Sequence, residues 1–365
     1  METVKLPFYV KLMCVLISII CIGFIFFIGK DILTSILLAF LFSVLLLPLF
    51  TLLHVKLRFP HFLASIVTVL IFVLIIIGIL TFISYQISDI ANDFSIIKKN
   101  ALAVFNDFQN FIKANFNIST GEQKKYLENV TSDSVKNGGQ KISTALGSLS
   151  DVLLDCTIIP IFIFLFLLYK KHFILFLAKL FKKEHHDKLK EILTQIKVSI
   201  NNYIVGLIIE MLVVTILTSI GLYIIGVKYF ILLGLITGIL NMIPYIGIFI
   251  AGVLTVLASL TGTPGISIIL GILIVNIIVQ LIDNNILVPL IINTKVEINA
   301  FFSIVGIIIG GGVAGISGMF LAIPLLAILK IIFDRIESLE PWGYLIGNDL
   351  PKKFSWKIKK IKLEE

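Results

Sequence analysis

The chain has 365 residues, of which 58% are hydrophobic and 14% are charged, and its formal net charge is +8. Soluble domains carry about 25% charged residues, and a water-soluble fold of this length would leave much apolar surface facing solvent. The composition excludes an ordinary soluble enzyme and predicts an all-α integral membrane protein whose partner is the lipid bilayer. The positive charge fits basic cytoplasmic loops. Because no recognition motif accompanies the charge, we predict no nucleic-acid partner.

Three apolar runs open the chain, at residues 13–29, 32–53 and 59–88. None contains Asp, Glu, Lys or Arg, and each approaches or exceeds the ~20 residues that cross about 30 Å of bilayer hydrocarbon. We therefore predict three transmembrane helices within residues 1–88.

Residues 89–148 are polar, and their apolar side chains recur at spacings of three and four. This period is typical of amphipathic helices. We predict a small extracytoplasmic helical segment here. Its apolar faces pack either on each other or on a neighbouring subunit, and the sequence leaves both possibilities open.

The remaining membrane domain is predicted at residues 149–334. It contains spans at 152–169 and 203–227, a basic cytoplasmic loop at 170–202, and long uncharged stretches at 229–282 and 298–329. Proline and glycine interrupt both stretches, and such breaks survive at membrane depth only where protein or water satisfies the backbone. We predict about eight crossings with one broken segment re-entrant, without deciding which.

The orientation follows from the lysines and arginines in short loops. These residues precede the first span, separate the second from the third, and fill both residues 170–202 and the tail at 335–365. We predict that both termini are cytoplasmic.

Three acids stand out in the membrane domain: Glu210 within the span at 203–227, Asp155 near the outer end of the span at 152–169, and Asp283 at the edge of the uncharged stretch 229–282. Asp155 fits a helix-end group that touches headgroup water. Ionisable groups inside spans are expensive and usually line a path or meet a partner. Glu210 is interpreted as a proton or cation site, with a structural hydrogen bond as the alternative. The amides around Asp283 suit a cation or a polar solute, and they are Gln280, Asn284 and Asn285.

The break at residues 241–247 holds four further candidates for the transport path: Asn241, Pro244, Tyr245 and Gly247. Broken helices near the midplane are a common place for transporter sites. An extramembrane turn explains the same sequence equally well.

Glycines at intervals of four predict close helix packing. Those of the last apolar stretch are Gly306, Gly310, Gly311, Gly315 and Gly318. The chain has no phosphate-binding loop and no metal-ligand spacing, so we predict no cofactor, no metal and no enzymatic activity.

Three motifs together resemble the autoinducer-2 exporter family. Residues 241–247 (NMIPYIG) resemble its Pro-Tyr-x-Gly signature, and residues 279–289 (VQLIDNNILVP) resemble its acidic-Gly-Asn segment. Residues 306–324 resemble its glycine-rich closing helix. The resemblance implies a seven- or eight-span homo-oligomer of the bacterial inner membrane that exports a small solute such as autoinducer-2, in connection with quorum sensing. Some family members look instead like sodium- or lithium-proton antiporters, and a non-transporting membrane scaffold is a further alternative.

Overall fold

The computed structural model describes residues 7–93, 96–97, 99–101, 103–104, 149–243, 247–262, 266–291 and 298–348. The helices are α1 (Phe8–Ile28), α2 (Lys30–Thr51), α3 (His61–Asn92), α4 (Leu149–Leu180), α5 (His186–Ile225), α6 (Phe230–Asn241), α7 (Gly247–Ser259), α8 (Ile266–Ile282), α9 (Val288–Ile291), α10 (Ala300–Phe333) and α11 (Glu340–Ile346). Single π-helical turns follow α2 and α8, at Leu52–Lys56 and Asp283–Leu287.

The predicted all-α membrane fold is confirmed. In the part of the chain that the structure describes, every regular element is helical, and six helices are long and apolar enough to cross a membrane. Large apolar side chains remain exposed along them, as expected for helices whose solvent is lipid. Most of the predicted external segment, residues 105–148, lies outside the described residues.

Helices α6 and α7 form a first re-entrant pair, called hairpin 1 (residues 230–259). They have 12 and 13 residues, which gives lengths of about 18–20 Å against a hydrocarbon core of ~30 Å. Neither helix can cross alone, so the chain enters and returns on the same side. The predicted break at residues 241–247 lies between the two helices, and its residues 244–246 are outside the described residues.

Helix α10 is also folded back on itself and is called hairpin 2 (residues 300–333). Ala314 and Gly315 have non-helical backbone angles, with Gly315 at φ 59° and ψ −139°. A Cβ added to Gly310 would collide with the Gly318 carbonyl, and one added to Gly318 would collide with the Gly310 carbonyl. In a straight helix these two glycines would be ~12 Å apart. Two antiparallel legs therefore meet at a tip around Gly315.

The two hairpins are based at opposite ends of α5, a helix of 40 residues and ~60 Å. Hairpin 1 begins directly after the end of α5. Hairpin 2 ends beside the start of α5, where Arg335 Nη2 lies 2.9 Å from Glu191 Oε1. The start of hairpin 2 is at the same place. The backbone N–H of Asn299, just before hairpin 2, donates to the carbonyl of Ile346 in α11, just after it, at 2.9 Å. The chain therefore folds back twice, as hairpins 1 and 2, in agreement with a membrane fold that contains broken segments. The number of crossings and of re-entrant segments stays a prediction.

The basic stretch predicted as a cytoplasmic loop, residues 170–202, is mostly helical. Helix α4 continues to Leu180, and α5 already begins at His186. Lysine is a good helix former, and a helix can continue past the membrane surface while its own backbone hydrogen bonds stay satisfied. The basic residues therefore lie on two helix ends joined by a short turn.

Buried side chains tie these elements together in separate clusters. One joins α2, α5 and hairpin 2 through Leu41, Ile204 and Leu321. Another joins α2, α3 and α4, and a third joins the base of hairpin 1 to the end of α5. Helix α5 is thus the common support of both hairpins.

Candidate functional site

One side-chain amide links the two predicted membrane acids. Asn241 Nδ2 donates to Glu210 Oε1 at 3.0 Å and to Asp283 Oδ2 at 3.1 Å. The acids are 73 positions apart in the chain, yet both reach the same nitrogen atom. The two carboxyl groups are therefore neighbours, and they are close enough to interact electrostatically.

Each of the three residues comes from a different kind of element. Glu210 lies in the middle of α5, which is continuous there. Asn241 is the last residue of α6, so the short first leg of hairpin 1 carries it ~18 Å into the protein. Asp283 begins the π-helical turn after α8, and such turns often occur at functional sites.

Both carboxyl groups are buried, and only one oxygen of each accepts a hydrogen bond from Asn241. Glu210 is 4% exposed and Asp283 is 3% exposed. Asn241 occupies one oxygen of each carboxyl group, while Glu210 Oε2 and Asp283 Oδ1 are buried and receive no hydrogen bond from a third residue in the described structure. The two carboxyl groups are within hydrogen-bonding reach of each other once one of them carries a proton. Two neighbouring carboxylates repel each other, and a proton or a cation between them relieves the repulsion. The arrangement can therefore accept either.

Glycines hold hairpin 1 against α5 and so hold Asn241 beside Glu210. A Cβ on Gly238 would collide with Thr215 Oγ1 and press on the Met211 carbonyl, and a Cβ on Gly234 would collide with Ser219. Only glycine permits this backbone approach. Gly247 begins α7 so close to the Leu240 carbonyl that a Cβ could not fit there either.

Two predicted amides are absent from the acid cluster. Asn284 and Asn285 are exposed, whereas Asp283 and Leu287 are buried. Successive side chains rotate around the axis of a helical turn, so the residues that follow Asp283 point away from it. Gln280 Nε2 donates to Asn284 Oδ1 at 2.8 Å. Pro244 and Tyr245 lie outside the described residues.

The glycines predicted to pack helices have two different positions in hairpin 2. Gly306 lies against Leu326, Gly310 against Gly318, and Gly311 against Met319, all between the two legs. Gly315 is at the tip, where a Cβ would meet nothing within 4 Å. Gly315 is needed for the non-helical backbone angles of the tip and not for close packing.

A cavity of about 920 Å³ lies at the tip of hairpin 2, away from the acids. The polar residues that line it are Lys30, Asp31, Thr34, Ser35 and Ser317, and the other lining residues are apolar or glycine. The non-helical backbone of Gly315 faces the same space. The size is within the usual range for small-molecule sites.

Comparison with known proteins identifies the family. A family model described as "AI-2E family transporter" matches residues 15–338. The chain belongs to the AI-2E family.

Among curated relatives of this AI-2E family chain is YueF of Bacillus subtilis, whose name describes a transport protein. It is 27% identical over 291 residues, which cover 74% of this chain and 77% of YueF. YrrI of the same organism, also named as a transport protein, is 34% identical over 134 residues, 37% of each chain. PerM of Escherichia coli, named as a permease, is 26% identical over 220 residues, 56% of this chain and 59% of PerM. The matched segments thus span between about a third and three quarters of these relatives.

Sequence reasoning missed several polar residues around the acids of this AI-2E family chain. They have buried side-chain atoms with no partner among the described residues, and they are Thr215, Thr218 and Asn276. The spacing in the sequence does indicate two of them. Asn276 is two helical turns before Asp283, and Thr218 is just over two turns after Glu210, so each lies on nearly the same helix face as an acid. Threonine and asparagine are common in apolar helices, however, so the pattern is weak by itself.

Proposed function

We propose that the chain is a secondary transporter, driven by a gradient and not by ATP, in which Glu210, Asn241 and Asp283 bind a proton or a monovalent cation such as sodium or lithium. The observation that carries the proposal is the single Asn241 amide nitrogen shared by two buried acids. Membership of a transporter family supports it.

The chemistry of exchange follows from the charges. With both carboxyl groups ionised, the site holds two negative charges away from water, which is strongly unfavourable. Asn241 donates to one oxygen of each group but adds no charge, so the remaining oxygens are free to hold a cation. A proton on either acid relieves the same repulsion. Because either ion satisfies the site, the two compete, and competition at one site is the basis of antiport.

We further propose that the protein lies in a bacterial inner membrane with both termini in the cytoplasm, and that it forms homo-oligomers. The basic residues at the end of α4 and at the start of α5 support this orientation. In it, hairpin 1 enters from outside and hairpin 2 from the cytoplasm. Two hairpins that enter from opposite sides suit a transporter that opens to each side in turn.

The test is sodium- and lithium-dependent proton movement in proteoliposomes that contain a pH-sensitive dye. Glu210→Gln and Asp283→Asn each remove one charge while keeping the shape, and we expect each to abolish exchange. Glu191→Gln is the matched control, because it removes an exposed carboxylate at the start of α5. Unchanged exchange in both site variants would reject the assignment.

The cavity at the tip of hairpin 2 favours a second candidate function, export of a small polar solute such as autoinducer-2. Thermal unfolding of purified protein separates the candidates, because a ligand present at 100 times its Kd raises stability by about 2.7 kcal/mol. Stabilisation by sodium or lithium that Asp283→Asn abolishes supports the antiporter. Stabilisation by autoinducer-2 supports the exporter, whereas no stabilisation and no flux would identify a membrane scaffold.

A further inference from the structure

Unsatisfied polar groups are concentrated on two antiparallel helices, α5 and α8, and the region where these two helices meet hairpin 1 is called the seam. Among the described residues, eight buried side-chain atoms have no hydrogen-bond partner. All of them belong to α5 or to α8 and its π-helical turn, on Asn201, Glu210, Thr215, Thr218, Asn276, Gln280 and Asp283. Buried polar atoms are nearly always satisfied, by protein or by ordered water.

Buried threonines in other helices of the protein donate their hydroxyl hydrogen to a backbone carbonyl of the same helix. The hydroxyls of Thr68, Thr237 and Thr255 donate to the carbonyl four residues earlier, at 2.7, 2.7 and 2.8 Å. Thr218 is 0% exposed and makes no such bond. Thr218 therefore differs from these other buried threonines, because its hydroxyl has no backbone partner.

The unsatisfied groups extend from the acids mainly toward one end of the protein. Thr218 is eight residues, ~12 Å, beyond Glu210 toward the end of α5. Asn276 is seven residues, ~10 Å, before Asp283 toward the start of α8. The two helices are antiparallel, because Gly221 lies against Val275 and Gly271 lies against Ile225. Both displacements therefore lead to the base of hairpin 1.

The types of atom indicate what occupies the seam. Seven of the eight unsatisfied atoms are oxygens, and the exception is Asn276 Nδ2. Carboxylate, amide and hydroxyl oxygens are ligands for water and for hard cations. In the direction opposite to hairpin 1, Asn201 alone contributes an unsatisfied atom among the described residues.

We propose that the seam where α5 and α8 meet hairpin 1 is a water-filled access path, and that Thr218 and Asn276 are the steps by which a proton or monovalent cation reaches Glu210 and Asp283 from the base of hairpin 1. The carriage of ions rests on the proposed function, whereas the presence of water in the seam does not.

Cysteine labelling tests the path directly. In a chain whose native cysteines are replaced by alanine, Thr218→Cys and Asn276→Cys are compared with Thr237→Cys. Thr237 is a depth-matched control, since it lies seven residues from the base of hairpin 1, as Thr218 lies seven residues from the end of α5. With a charged, membrane-impermeant methanethiosulfonate reagent, we expect the seam cysteines to react at least about tenfold faster than the control, because reaction requires access to water. Equal rates would overturn the path.

A flux measurement then separates the path from the proposed function. Thr218→Val keeps the side-chain shape but removes the hydroxyl, and we expect it to slow sodium-proton exchange about fivefold, the effect of one lost hydrogen bond on a rate. Thr237→Val should leave the rate unchanged, and equal slowing in both variants would contradict the role of Thr218. If the seam cysteines react but the wild-type protein exchanges no ions, the path stands and the proposed function fails.

Discussion

The two hairpins use glycine in opposite ways. Hairpin 1 places Gly234 and Gly238 on its outer face, where they bring its backbone against α5. Hairpin 2 places Gly310 and Gly318 on its inner faces, where they bring its two legs against each other. Hairpin 1 is therefore joined by its backbone to the helix that carries Glu210, whereas hairpin 2 is a self-packed unit that meets α2 and α5 through side chains.

The difference shows which hairpin can move without disturbing the acids. Any shift of hairpin 1 along α5 would separate Asn241 from Glu210 and break close backbone contacts. A shift of hairpin 2 as one body would only exchange one set of side-chain contacts for another. We infer that hairpin 1 and α5 form a rigid unit around the site, and that hairpin 2 is the element suited to movement.

The largest expected effect comes from adding one methyl group at each glycine interface. We expect both Gly238→Ala and Gly310→Ala to destabilise the protein by about 3 kcal/mol, because the new Cβ meets backbone that cannot yield locally. Thermal unfolding in detergent measures this effect.

The two variants should differ in their response to sodium. Gly238→Ala should lose stabilisation by sodium, because Asn241 moves away from Glu210, whereas Gly310→Ala should keep it. A sodium response that survives in Gly238→Ala would show that hairpin 1 is not rigidly coupled to the site.

A smaller effect is expected at the tip of hairpin 2. Gly315 has a φ of 59° and a ψ of −139°, a region nearly restricted to glycine, so Gly315→Ala should cost about 2 kcal/mol. Gly312→Ala is the matched control in the same hairpin, since it also meets open space but has no unusual φ. It should be neutral or slightly stabilising. Equal unfolding temperatures for the two variants would argue against the sharp turn at this tip.

The smallest effect concerns the loops at the base of hairpin 1. Asp93 Oδ2 accepts from Lys228 Nζ at 2.6 Å and from the Tyr229 hydroxyl at 2.9 Å. The Lys228 ammonium, followed by the Tyr229 hydroxyl, holds the pKa of Asp93 below its usual value. A lowered pKa means that this contact stabilises the fold above the usual aspartate pKa, and that the contribution disappears as the pH falls through the lowered value.

We therefore expect Asp93→Asn to lower the unfolding temperature slightly at neutral pH, and less so at high salt. The difference from wild type should vanish in acid below the lowered pKa. The effect should be small because a second contact holds the same base without the ion pair: Asn100 Nδ2 donates to the Leu260 and Gly262 carbonyls at 2.8 Å each. A difference that persists unchanged in strong acid would show that the ion pair is not its cause.

Much of the site was predictable because a charge in an apolar helix is conspicuous. Glu210 and Asp283 interrupt long uncharged stretches, and Asn241 precedes a Pro-containing break. Asn284 and Asn285 were equally conspicuous but face outward. Sequence cannot separate them from Asp283, because the rotation of a helix about its axis depends on its neighbours.

The sequence by itself determined that lipid surrounds this chain, that its elements are helices, and where those helices are interrupted. These properties are sums over local composition and do not depend on what packs where. Only the tertiary structure decided that two segments fold back as hairpins, which glycines face each other, and that one amide bridges two distant acids. Each of these depends on the relative rotation and depth of several helices, to which residues far apart in the sequence contribute together.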